Sequence, residues 1–369
     1  MKRFAWIVIC TLPFGLMLFG QDFSDQLIQV LETYKAENPV APGVSAYVRS
    51  QSNDLEWSGA VGVVQRGGEE RLRPDHVIRI ASNTKTYVAT AILRLVEEGR
   101  LDLDQNLSQL LEEDVLAMLR KDNYPVELMT LEHILSHTSG LNEHPADSRY
   151  EEALISNPQK IWQPKEQIRL CIEWLDPVGQ PGEIYSYSDT GYILLGLILE
   201  ATTQKKLGPA VRELVNYDQL GLEATFWEYM EPEPSQLERA HQYYADYDIT
   251  SWHASFDLYG GGGLVSNPKD MGRFMEALLN GRVYKEAKTI EHMKSRGTEP
   301  YRLGLMRVLL DGVEAFGHQG FWNTFAYYLP ELDLCVAGSI TNHHAANGRL
   351  LAGQLVKVTR ENLAKTSSK

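Results

Sequence analysis

The feature that most constrains this chain is the placement of its strand-like segments, which lie near both ends with a long helical stretch between them. Residues 43–50 (GVSAYVRS) and 56–65 (EWSGAVGVVQ) alternate or carry short β-type runs, and comparable patterns return only in 301–310, 322–329 and 333–341. From Ser82 to about Pro234 the pattern is mostly helical: 82–98 closed by Gly99, 131–137 opened by Thr130 and closed near Gly140, and 190–203. Phe23, Leu27, Val30, Leu31 and Tyr34 recur at helical spacing, and Leu350, Leu351, Leu355 and Val358 share a face of a last helix over 346–363. These patterns predict an α+β chain: a mostly antiparallel sheet flanked by the terminal helices, with an all-helical insertion after the first strands. The expected sheet subdomain is about 21–81 and 240–363, and the insertion about 82–239.

The start of the chain has a different meaning. Met1-Lys2-Arg3 precedes an apolar run from Phe4 to Phe19, broken by Thr11, Pro13 and Gly15, and then Gly20-Gln21-Asp22. This is the pattern of a secretory signal peptide over residues 1–20, which predicts a secreted or periplasmic protein with no stable membrane anchor. Removing those residues takes two basic charges and no acid, so the formal charge moves from -14 to -16. Nucleic acid is excluded as an expected partner, leaving a small molecule or a peptide. Cys171 and Cys335 then remain, allowing one disulfide but no disulfide framework.

Candidate chemistry begins at Ser82 and Lys85 in "IRIASNTKTYVATAIL" (79–94), where a strand-like run gives way to a helix. A serine there projects its hydroxyl at a first helical turn, where unpaired N–H groups favour negative charge. Ser-x-x-Lys is also an ordinary helix start. The second copy, Ser266-Asn267-Pro268-Lys269, reads as a cap, with Asn267 at N-cap, Pro268 at N1 and Asp270 at N3. His133 and His137 have the spacing of a helical zinc pair, with His144 nearby, but Ile134 stands where a zincin has its glutamate. The expectation is no metal and no cofactor, with His133 and His137 bracing a helix and loop, and His343-His344 as loop polar groups. The sequence has no Gly-x-Ser-x-Gly, which excludes a nucleophile elbow.

Further segments single out Ser82. "YSYSDTGYILLGLILE" (185–200) puts Tyr187, Ser188 and Asp189 just before a helix, and "FGHQGFWNTFAYYLPE" (316–331) puts His318-Gln319-Gly320 at the entrance to a strand-like run. With "LEHILSHTSGL" (131–141) and "YGGGGLVSNPKDMGRFMEALLNG" (259–281), this order resembles the serine β-lactamase and penicillin-binding-protein superfamily. The similar branch is that of class C β-lactamases, D-alanyl-D-alanine carboxypeptidases and related esterases and D-amino-acid peptidases, and the resemblance spans about 25–360. It implies the β-lactamase/transpeptidase-like fold with its site between sheet and helical insertion. Ser82 would be the acylated nucleophile, Lys85 would help remove its proton, and Tyr187 would be a base or proton shuttle. His318 would take the first position of the family's Lys-Thr-Gly triplet. Gly320 would let substrate approach the strand, and the N–H groups of Phe321 and Ser82 would form an oxyanion hole.

Two positions depart from the family pattern. Asp189 replaces the usual asparagine, and as an acceptor-only group it would keep Lys85 protonated and move the base role toward Tyr187. Gln319 replaces a hydroxyl that helps bind a substrate carboxylate, which argues against efficient β-lactam hydrolysis. The aromatic-rich stretch 241–263 is either ordinary filling or the lining of an acyl or leaving-group pocket. The functional expectation is an exported serine hydrolase that acts through an acyl-enzyme on an ester or amide, including D-amino-acid peptides. The alternatives are a D-Ala-D-Ala carboxypeptidase or β-lactamase, and a non-hydrolytic sensor or binding protein.

Overall fold

The computed structural model describes residues 21–367; the expected signal peptide, 1–20, lies outside the described residues. Helix α1 (Gln21–Glu37) leads into strands β1 (Gly43–Ser50) and β2 (Leu55–Gly62), and the short β3 (Ile78–Arg79) delivers the chain to Ser82 and helix α2 (Thr84–Glu97). The helical region then runs through α3 (Glu113–Lys121), α4 (Leu131–Leu135), α5 (Ser148–Ser156), α6 (Pro164–Trp174), α7 (Asp189–Thr203), α8 (Leu207–Val215) and α9 (Tyr217–Leu220). Two-residue strands β4 (Phe226–Trp227), β5 (Tyr243–Tyr244) and β6 (Tyr247–Asp248) and then β7 (Leu264–Ser266) lead to helices α10 (Pro268–Leu279) and α11 (Ala287–Ser295). The chain closes with β8 (Met306–Leu310), β9 (Val313–Gly320), β10 (Thr324–Leu329), β11 (Leu334–Ile340) and helix α12 (Gly348–Ser367).

The main sheet has six strands in the order β2-β1-β11-β10-β9-β8, antiparallel at every junction. The two ends of the sequence meet where β1 pairs with β11, from Val44 opposite Ile340 to Arg49 opposite Cys335. The two-residue period of a strand then sorts side chains between two cores. Phe325, Tyr327 and Leu329 pack with Val336 and Ile340 under α1 and α12, whereas Ala326 and Tyr328 join Cys335 and Ala337 in the larger core shared with the helical region. The sequence reading placed the terminal helices on the sheet. The structure adds α10 on the opposite face, packed so closely that a Cβ on Gly272 would lie 2.4 Å from Tyr47 Cδ1.

Several local expectations change. The strand expected over 301–310 begins at Met306, and β9 was not anticipated as a strand. Its sequence VEAFGHQG holds two glycines and few β-branched residues, so its pairing with β8 and β10 on both sides, not its propensity, makes it a strand. His318-Gln319-Gly320 therefore end a strand and do not open one. Cys171 and Cys335 are separate buried thiols, donating to Asn142 O and Gly272 O, so the single disulfide that the sequence allowed is not formed. At α10 the capping reading of the second Ser-x-x-Lys holds: Asn267 Oδ1 accepts Asp270 N–H at 2.9 Å, and Ser266 is fully buried against Thr225.

Candidate active site

Ser82 sits in a single tight turn, Ala81–Asn83, between β3 and α2. Ala81 has φ 47°, a left-handed conformation that costs a non-glycine residue about 1–3 kcal/mol and persists only where the surroundings impose it. Here they do. Asn83 Nδ2 donates to Ile80 O (3.1 Å) and to Thr324 Oγ1 (2.9 Å), and Thr324 Oγ1 donates to Ile80 O (2.9 Å). Gly320, at the end of β9, lies so close that an added Cβ would sit 2.3 Å from Ile80 O. The sequence reading gave Gly320 the task of admitting substrate; the approach that the structure shows is to the turn that carries Ser82.

One helical turn on, Lys85 is completely buried. Its Nζ lies 2.9 Å from Ser82 Oγ and 2.7 Å from Gly261 O, and it forms an ion pair with Asp189 Oδ1. Three acceptors meet the three hydrogens of an ammonium. The same three contacts also suit the neutral amine, which donates to Asp189 and Gly261 and turns its lone pair to the Ser82 hydroxyl. Asp189 opens α7, where Ser188 caps the helix by accepting Gly191 N–H at 3.1 Å. The glycine run brings its carbonyl to the lysine by crossing the start of that helix, and a Cβ on Gly260 would lie 2.3 Å from Tyr192 O.

Tyr187 packs beside this pair, with Lys85 Nζ 4.9 Å from its ring centroid. Burial first and then the Asp189 carboxylate push the Tyr187 hydroxyl well above the usual phenol range, while hydrogen bonding with Ser82 acts the other way. That direction is opposite to what a resting phenolate base needs. His318 is fully buried behind Tyr187, its pKa pushed down to about 3 by burial and then by Lys85. Its Nδ1 lies 2.8 Å from the Gln319 carbonyl, which can only accept, so the hydrogen is on Nδ1 and Nε2 accepts from Tyr301 Oη at 2.9 Å. His318 thus supports the site from behind.

A cavity of about 680 Å³ opens in front of Ser82, bordered by Tyr187, Asp189, Gln319, Gly320 and Phe321. The Gln319 Oε1 accepts from Tyr327 Oη at 3.3 Å, and Phe321, 52% exposed, stacks on His343 at the rim with 3.9 Å between ring centroids. Tyr244, Trp252 and Phe256, from the aromatic-rich stretch 241–263, form a wall together with Trp322. Arg79 ties that wall to β3: it donates to Ile249 O (2.6 Å) and Trp252 O (2.7 Å) while paired with buried Glu228 at 2.8 Å.

Sequence reasoning missed two carboxyls in the same cavity, Glu143 and Asp257. Burial and then the nearby Asp189 charge raise Glu143 to about 8 and Asp257 to about 7, and Lys85 opposes both shifts. Among the described residues neither carboxyl has an ion pair or a side-chain hydrogen-bond partner. Nothing in "LNEHPAD" or "SFDLYGG" distinguishes these acids from loop residues; only the glycine run beside Asp257 hinted at a close approach.

The histidines considered for zinc go to separate tasks. His133 Nδ1 accepts Thr130 N–H (3.2 Å) in a capping box, His137 Nδ1 accepts Ser188 N–H (3.1 Å), and His144 Nδ1 meets Thr190 Oγ1 (2.9 Å). Glu70, His76 and Glu238 converge elsewhere among the described residues. There His76 Nδ1 accepts Arg73 N–H at 2.9 Å, so in the neutral ring Nε2 carries the hydrogen, 3.7 Å from Glu70 and 3.6 Å from Glu238 and without a hydrogen-bond partner among the described residues.

The profile of the family described as Beta-lactamase matches residues 28–359. The chain belongs to the β-lactamase family. Its members of this fold are serine hydrolases, and the chain is one of them. It is 25% identical, over 73% of its length and 71% of the relative's, to a protein of Salmonella paratyphi A provisionally named a D-alanyl-D-alanine carboxypeptidase. The D-stereospecific amidohydrolase from Streptomyces sp. has a similar structure, with TM-score 0.76, 25% identity, and coverage of 89% of this chain and 97% of that one. The D-amino acid amidase from Ochrobactrum anthropi SV3, solved with L-phenylalanine amide, superposes with TM-score 0.78 at 21% identity, over 93% of this chain and 99% of that one.

Proposed function

We propose that this protein is an exported hydrolase of amides and esters of amino acids bearing a free α-amino group, D-amino-acid amides and short peptides among them, acting through an acyl-Ser82 intermediate. The observation that carries the reading is the 2.9 Å contact between Lys85 Nζ and Ser82 Oγ at the floor of the cavity. A serine hydroxyl needs a base as it attacks, and Lys85 is the basic group in contact with it. The step starts from the amine form of Lys85: as Ser82 Oγ bonds to the substrate carbonyl carbon, its proton passes to Nζ and regenerates the ammonium of the Asp189 ion pair, the other two hydrogens staying on Asp189 and Gly261 O. The Ser82 and Phe321 amides frame the developing oxyanion. Tyr187, held in its protonated form, is the donor to the departing nitrogen or oxygen, and its proton is restored from Lys85. Water then attacks the acyl group and the same groups run in reverse.

The cavity supports the substrate class. Glu143 and Asp257 are unpaired carboxyls in a space whose lysine is already engaged, which favours a substrate that brings its own positive charge. The aromatic wall suits a large apolar or aromatic side chain. The name of the Streptomyces neighbour, a D-stereospecific amidohydrolase, supports the D-configuration. β-Lactam hydrolysis has less support, because Gln319 lacks a hydroxyl and its carbonyl is engaged by Tyr327. Export rests on the basic start and apolar run of residues 1–20, and N-terminal sequencing of protein recovered from periplasm or medium tests it. For the activity, mature protein is assayed with D- and L-phenylalanine amide, p-nitrophenyl esters and nitrocefin. The reading expects D-phenylalanine amide to be the best of the amides, and nitrocefin turnover above all the others would overturn it.

A further inference from the structure

Among the buried groups that the mechanism does not use, His137 has the most unusual setting. It follows α4 in a left-handed backbone conformation, φ 57°, which a non-glycine residue adopts at a cost. Its backbone carbonyl accepts Ser186 N–H at 2.8 Å and its Nδ1 accepts Ser188 N–H at 3.1 Å, so its two bonds straddle Tyr187. The imidazole also lies against the Tyr187 ring, with 4.2 Å between centroids and planes 34° apart, and Tyr192 and Tyr301 flank it at 5.1 and 4.5 Å. Because Nδ1 accepts a backbone N–H, the ring hydrogen is on Nε2, and that buried atom has no hydrogen-bond partner among the described residues. A left-handed backbone and an unpaired polar atom are both unfavourable, and both occur in the residue that packs on the Tyr187 ring and holds the backbone amides on either side of it.

We infer that His137 is a positioning residue for Tyr187: it fixes the height of the 186–188 backbone and the plane of the phenol ring, and so aims the hydroxyl at the Ser82 turn. The neutral imidazole is required, since a proton on Nδ1 would displace the Ser188 amide. Burial first, then the charge of Lys85, holds His137 well below the ordinary histidine range. The inference rests on the reading of Tyr187 as the proton donor to the leaving group.

The test is a double-mutant cycle on the full mature protein. His137→Phe keeps a ring against Tyr187 and removes the acceptor for Ser188 N–H. His137→Asn tolerates left-handed backbone and keeps a side-chain acceptor. A displacement of about 1 Å at a reacting group can cost about 10²-fold. The expected result is that His137→Phe lowers kcat for an amide about 10- to 100-fold with little change in KM, that His137→Asn regains part of that loss, and that neither lowers the residual rate of Tyr187→Phe further. If either variant lowers the Tyr187→Phe rate by the same factor as it lowers wild type, His137 acts independently of Tyr187 and the inference is overturned. Should His137→Phe fail to fold, the His137→Asn arm of the cycle decides by the same criterion. If Tyr187→Phe alone turns over at the wild-type rate, the reading of Tyr187 fails instead, so the two failures are distinct.

Discussion

The acidic cavity predicts a specific pH dependence for substrates that carry an amine. Glu143 is raised to about 8, so it binds an ammonium in its ionised form only as pH rises through that value. The substrate's α-amine loses its proton over nearly the same range, with a pKa of about 7.7–8.0. The productive combination is carboxylate with ammonium. Taking about 8 for the acid and about 7.8 for the amine, the product of the two fractions rises about 20-fold from pH 6 to pH 8 and falls again above it. The assay compares kcat/KM for D-phenylalanine amide with kcat/KM for its N-acetyl derivative from pH 5.5 to 9.5. Ionisations of the groups that carry out the acyl transfer act on both substrates and cancel in the ratio. The ratio is expected to trace a bell centred near pH 8 in the wild type and, in Glu143→Gln, to shift its acid limb down toward the pKa of about 7 of the remaining Asp257. A ratio that is flat with pH, or a bell unchanged in Glu143→Gln, would refute the assignment of Glu143 to the amine.

Further expectations concern the machinery and its supports. Tyr187→Phe should reduce acylation by about 10²- to 10⁴-fold, the usual worth of a positioned proton-transfer group, with a smaller loss for p-nitrophenyl esters, whose leaving group needs no proton; equal losses on amide and ester count against the donor role. Gly320→Ala drives a Cβ to 2.3 Å from the Ile80 carbonyl, and should cost about 1–3 kcal/mol of stability by chemical denaturation and reduce kcat by about 10²-fold as the Ser82 turn shifts. Wild-type kcat in that variant would show that the turn is not held by Gly320. Glu228→Ala leaves the buried Arg79 guanidinium without its carboxylate and should destabilise the fold by about 3–5 kcal/mol, read by urea unfolding. A loss below 1 kcal/mol, as for an exposed pair, would contradict that account of the aromatic wall.

What could be read in the sequence divides along physical lines. The joining of both ends into one antiparallel sheet was legible because alternation and helical spacing are local signals and the intervening stretch is helical. Ser82 stood out from Ser266 because the segments around 131–141, 185–189 and 316–331 accompany it in order, while Ser266 carries a full capping signature. β9 was not legible, since VEAFGHQG becomes a strand through pairing on both edges, and this misplaced His318 at a strand entrance. The direction of the Tyr187 shift could not be read either: it depends on burial beside Asp189, and it is what supports the proton-donor role proposed for that residue. Glu143 and Asp257 come from loops more than a hundred residues apart in the chain, and nothing local marks their convergence on Lys85. The two cysteines have no spacing rule that says whether they meet, and they lie in different parts of the packing.

The central claim is that Ser82 becomes covalently acylated. The most direct measurement is intact-protein and peptide mass spectrometry after brief exposure to a fluorophosphonate and, separately, to a slowly deacylating p-nitrophenyl ester. The account expects one adduct per chain in each case, on the peptide containing Ser82, and none in Ser82→Ala. An adduct on Ser266, or folded protein that takes up no label, would contradict it.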